Sequence, residues 1–132
     1  MQDRPLAADL LAAVQNFINE TAAPQLSGHA AFHARVAGNV LDILQREVTL
    51  GPKLEAAELA RLESLLGKSG DIVDLNRDLC ARIAAGEIDL DTDGLKDHLM
   101  RTTMGKLAID QPRYQGYKTA QASNWPEDHL TE

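Results

Sequence analysis

The sequence predicts an all-α protein: an antiparallel bundle of about five amphipathic helices with an irregular C-terminal tail. Three observations predict it. Apolar residues recur three and four apart along most of the chain, the period of one helix face. Glycine and proline punctuate those runs at Pro24, Gly28, Gly51-Pro52, Gly67, Gly70, Gly86, Gly94 and Pro112. No stretch alternates apolar and polar residues over the length of a strand.

The first helix is expected over residues 5–22. Pro5 suits a first turn, where its missing N–H costs no bond, and Asp3 is a cap upstream. Leu6, Leu10, Val14 and Phe17 line one face, widened by Leu11 and Ile18. A second helix is expected over residues 29–49, with Phe32, Val36, Val40 and Ile43 as its apolar line. It should stop at Gly51-Pro52, because proline breaks the hydrogen-bond ladder. The third runs over residues 53–66 on Leu54, Leu62, Leu65 and Leu66, and Gly67 ends it. The fourth covers residues 71–85, with Ser69 as cap and Ile72, Leu75, Leu79 and Ile83 facing inward. The fifth covers residues 93–109 on Leu95, Leu99, Thr103 and Leu107, ended by Pro112.

These helices place a bundle domain at residues 1–112 and a tail at 113–132. The tail is polar and aperiodic, yet Tyr114, Tyr117 and Trp125 are three of the chain's five aromatic residues. A disordered tail is usually poor in aromatics, so this one either packs back or docks onto a partner.

Composition narrows the function classes. With 44% hydrophobic and 25% charged residues, the 132-residue chain has a core of ordinary size and needs no metal or disulfide to fold. The net charge of −7, with Arg and Lys scattered singly, disfavours nucleic acid. No segment is apolar enough for a membrane span, and residues 1–5 do not read as a signal peptide. The single cysteine, Cys80, has no internal partner and sits beside the apolar line of the fourth helix, where a buried, inert thiol is expected. A cytoplasmic location follows from these readings.

No catalytic motif is present. Asp89, Asp91, Asp93 and Gly94 reproduce the opening of a calcium-binding loop, but the twelfth position is Met100, which offers no carboxylate. Those residues read more simply as a helix cap with Thr92. His29 and His33 lie four apart, a spacing that suits two metal ligands, but no Glu stands between them as a base. The simpler expectation is a pair of partly buried histidines. No metal or cofactor is therefore assigned. His33, Arg35 and Asn39, with Asn76 inside the fourth helix's apolar line, have two readings. One is an interhelical hydrogen-bond network; the other is a polar pocket in which Arg35 holds an anion and His33 moves a proton.

Several segments resemble a bacterial family of short all-helical proteins of unknown function. They are Arg4-Pro5 with Leu10-Leu11, Phe32-His33-Ala34-Arg35-Val36-Ala37 with Asn39, Arg46-Glu47, Leu50-Gly51-Pro52, Leu75-Asn76 and Pro112-Arg113-Tyr114. The resemblance spans about residues 2–115, with residues 32–39 its most specific part. It implies an accessory protein, because such proteins are often encoded beside aminoglycoside-phosphotransferase-like kinases and acyl-CoA dehydrogenases. The function expected is a non-enzymatic accessory or protein-interaction domain that binds such an enzyme or a second copy of itself, with Tyr114, Tyr117 and Trp125 as anchors. The alternative is a small-ligand module or minor enzyme at His33, Arg35 and Asn39.

Overall fold

The computed structural model describes residues 3–123. Among them the chain is all-α: five α-helices and no strand. The helices are α1 (Ala7–Asn16), α2 (Gly28–Leu66), α3 (Ile72–Ala84), α4 (Leu95–Asp110) and α5 (Gln115–Ala122). A π-helical stretch (Phe17–Ala22) and a 3₁₀ turn (Ala23–Gln25) join α1 to α2. No helix among the described residues is long and apolar enough to cross a membrane.

The expected break at Gly51-Pro52 does not occur. The second and third expected helices are one helix, α2, with Pro52 inside it. Proline removes a single ladder bond, to the Val48 carbonyl, and the strong helix formers Lys53 to Ala57 resume at once. Pro52 instead marks the divide between two compact units, Met1–Pro52 and Lys53–Glu132, to which α2 contributes its first and second parts.

The first unit is a helical hairpin. Gln15 Nε2 donates to Asp42 Oδ1, and a Cβ placed on Gly38 would meet Asn19 Oδ1 at 2.6 Å. Those two pairings run in opposite chain directions, so α1 and its π-helical continuation lie antiparallel to the first part of α2. Ala8, Ala12, Ala22, Ala31, Ala34, Leu11, Ile18 and Leu41 are half-buried in this unit, and Gly38 is buried. Short side chains let the backbones approach closely. The start of α1 differs from expectation: it begins at Ala7, and Asp9 rather than Asp3 accepts the free Leu6 N–H at 3.0 Å.

The second unit has the larger core. Leu62, Leu66, Leu75, Leu79, Ile88 and Leu95 pack together, with Leu59, Leu65 and Ile72 around them. Leu62 is 0% exposed. The lines expected for the third and fourth helices supply most of this cluster. Gly67, at φ 67°, ends α2 as expected, and Gly86, at φ 73°, follows α3. The cap of α3 is Asp71, whose carboxylate accepts the Val73 N–H at 2.8 Å, rather than Ser69. On α4 the inward face is Leu95, His98, Met104, Gly105 and Ala108; Leu99 and Thr103 of the expected line are exposed. Gly105 is small where Leu54 comes close: a Cβ there would lie 3.2 Å from Leu54 Cδ2. The tail begins with α5, which packs on α4 through Tyr117, 3% exposed. Burial raises the Tyr117 phenol above its usual range, and Gln121 Nε2 donates to its hydroxyl at 3.2 Å.

Candidate functional site

The apolar lines of the first unit face outward. Leu6, Leu10, Val14 and Phe17 on the first arm, and Phe32, Val36, Val40, Leu44 and Val48 on α2, are 41–60% exposed. This corrects the expectation that Leu6, Leu10, Val14, Phe17, Phe32, Val36 and Val40 bury against neighbouring helices; Ile43, the last residue of the expected α2 line, is half-buried. The reason is geometric. At 100° per residue, Val36 and Val40 lie about 160° around α2 from Gly38, the residue that meets the first arm. Leu10 lies about 140° around α1 from Gln15, and Leu6 about 180°. Gly38 turns toward Asn19 of the first arm, and these nine large side chains stay outside. The hairpin thereby trades close backbone packing for an uncovered apolar surface.

The predicted polar residues fall on this same unit. His33, Arg35 and Asn39 are all exposed on α2. The His29 and His33 rings stand 6.0 Å apart, and His33 meets Phe32 edge to face at 5.5 Å. The two histidines are therefore exposed members of the outer face, not the partly buried pair expected. Asn76 belongs to the second unit, where its Nδ2 donates to Glu58 Oε1 at 2.9 Å and to the Ile72 carbonyl at 3.1 Å. It ties α3 to α2, in line with the network reading of that residue.

Other expected sites resolve as local structure. Asp89 Oδ1 accepts the N–H groups of Asp91 and Thr92, at 2.9 and 3.1 Å. Its carboxylate thus shapes the turn before α4 rather than capping the helix itself, whose N-cap is Gly94 at φ 82°. Among the described residues no three His, Cys, Asp or Glu side chains gather as a metal set. Cys80 is exposed rather than buried, because it sits one residue past Leu79 and turns off the inward line. Tyr117 is a core residue and Tyr114 is exposed at the N-cap of α5; Trp125 lies outside the described residues.

Sequence reasoning passed over one cluster. His98 is 2% exposed, and its Nδ1 finds no hydrogen-bond partner among the described residues. Burial lowers its pKa from the ordinary histidine range, and the Arg61 guanidinium acts the same way, against Glu58 and Asp97. Arg61 is itself lowered by burial and by Arg101, and its Nη2 donates to Thr102 Oγ1 at 3.4 Å. Arg101 Nε grips Asp97 at 2.8 and 2.9 Å. The signal was present in the sequence: His98 stands three residues after Leu95, and Arg61 one before Leu62, both next to core leucines.

Among the described residues the chain is an all-α protein. Residues 24–114 match the family described as Domain of unknown function (DUF6285), and the chain belongs to that family. The match takes in α2, α3 and α4; the Arg4-Pro5 and Leu10-Leu11 positions of the resemblance precede it. No curated protein and no solved structure matches the chain.

Proposed function

We propose that this chain is a non-enzymatic protein-interaction domain that docks through the exposed apolar lines of α1 and α2. The observation that carries this reading is the pair of outward apolar lines, nine large side chains each at least 41% exposed. Single exposed apolar residues are ordinary, but contiguous patches beyond a few hundred Å² mark interaction sites on water-soluble chains. Helix-spaced anchors are also the form in which one helix surface recognises another. A kinase-like or acyl-CoA-metabolising enzyme is the partner class that the resemblance implies, and a second copy of the chain is the other. Exposed Tyr114 adds an aromatic anchor beyond the hairpin.

The test is the double substitution Leu10→Glu and Val40→Glu. The wild-type chain either assembles through these lines or binds the apolar dye ANS on them. Whichever signal is seen is lost in the variant, with the helical circular dichroism unchanged. A wild-type chain that is monomeric and leaves ANS dark overturns the reading, as does an assembly indifferent to both substitutions.

A further inference from the structure

We propose that α4 and α5 form an acid-sensitive flap: protonation of His98 opens them from the second part of α2, while the leucine core between α2 and α3 stays closed. The device lies within the second unit and needs nothing from the hairpin.

The trigger is a buried imidazole poorly placed to hold a second proton. His98 is 2% exposed, and its Nδ1 has no hydrogen-bond partner among the described residues. The charged groups around it are Arg61 and Glu58 of α2 and Asp97 and Lys106 of α4. Arg61 and Lys106 oppose a positive imidazolium. The two carboxylates that would offset it are already engaged. Asn76 Nδ2 donates to Glu58 Oε1 at 2.9 Å, and Arg101 Nε holds both oxygens of Asp97, at 2.8 and 2.9 Å. Burial, helped by Arg61, keeps the imidazole neutral while the helix is docked. A buried cation without a free counter-charge is strongly unfavourable, and opening the helix relieves it by admitting water.

Packing confines the opening to α4 and α5. Leu62 and Leu66 of α2, Leu75 and Leu79 of α3, and Ile88 beyond it form a core that α4 joins through Leu95, in its first turn. Met104 and Ala108, further along α4, are buried outside that cluster. There the helix meets α2 at Gly105, where an added Cβ would lie 3.2 Å from Leu54 Cδ2. It also meets α2 at Thr102, whose Oγ1 accepts from Arg61 Nη2 at 3.4 Å, a long and therefore weak bond. α5 follows α4, on which it packs with Tyr117 buried.

Amide hydrogen exchange of the full chain at two pH values tests the flap. The open form takes up a proton near the ordinary histidine value of about 6.5 and the closed form does not, so opening grows about tenfold between about pH 7.5 and about pH 5.5. Corrected for the intrinsic pH dependence of exchange, protection in residues 98–122 falls about tenfold over that interval, and protection in residues 55–66 and 72–84 holds. The fall disappears in His98→Gln, and in His98→Leu should the first variant not fold. Wild-type protection that is unchanged with pH overturns the proposal. So does a fall shared equally by α2 and α3, which is acid unfolding of the whole unit. A fall in residues 98–122 that persists in a folded variant overturns it too, since another group is then the trigger. If neither variant folds, the wild-type pattern decides: a fall confined to residues 98–122 supports the flap, and a shared fall or none overturns it.

Discussion

Truncating one side chain in each unit separates a covered apolar line from an uncovered one. Leu62 is fully buried in the second unit, and Val40 is 48% exposed on the first. Leu62→Ala removes three carbons from a packed site, which is worth about 2 kcal/mol in transfer alone and about 3 kcal/mol with the cavity left behind. Val40→Ala removes two carbons whose surface is already half in water, so its cost in the monomer is about 0.5–1 kcal/mol. Urea denaturation followed by circular dichroism reads the difference. With a slope of about 1.5 kcal/mol/M, the Leu62 midpoint falls by about 2 M and the Val40 midpoint by about 0.5 M. In a dimer the Val40 cost grows with protein concentration and the Leu62 cost does not, because association stabilises by mass action only through the face that binds. Equal costs for the two substitutions at low concentration would refute the argument, for Val40 would then be a core residue of the monomer.

Three further outcomes follow from the second unit's polar groups and its thiol. His98 is held neutral by burial, so its folded pKa lies below its unfolded value of about 6.5. The unfolded chain then binds the extra proton first, and stability is full above about pH 6.5 and declines as pH falls toward the lowered folded value; His98→Gln flattens that part of a melting-temperature profile. Asn76→Ala strips Glu58 of its partner across α2 and α3 and is expected to cost about 1–3 kcal/mol, with Asn76→Ala, Glu58→Ala together costing less than the sum of the two singles. Exposed Cys80 reacts fully with a thiol reagent in the folded chain, and a reaction that waits for denaturant would place it in the core instead.

The sequence determined the local elements, because a helix and its ends follow from residues within a few positions of one another. The 3.6-residue period gave α1, α3 and α4 nearly as expected, and Gly67 and Gly86 supply the left-handed residues after α2 and α3. Leu62, Leu66, Leu75 and Leu79 were legible as core for the same reason. Continuity through Pro52 was not, since whether one lost bond ends a helix depends on what holds the chain on either side. Burial was legible only where a neighbour exists to provide it. Val40 and Leu75 occupy equally apolar lines, yet tertiary packing turns Leu75 inward and Val40 to the outside. An amphipathic pattern states which side of a helix avoids water; in α2 it is Gly38, on the opposite side from Val40, that meets Asn19 of the first arm. The polar residues divide in the same way. His33, Arg35 and Asn39 share one helix by their spacing alone, while the joining of Asn76 to Glu58, and the burial of His98 near Arg61, came only with the packing of α3 and α4 onto the second part of α2.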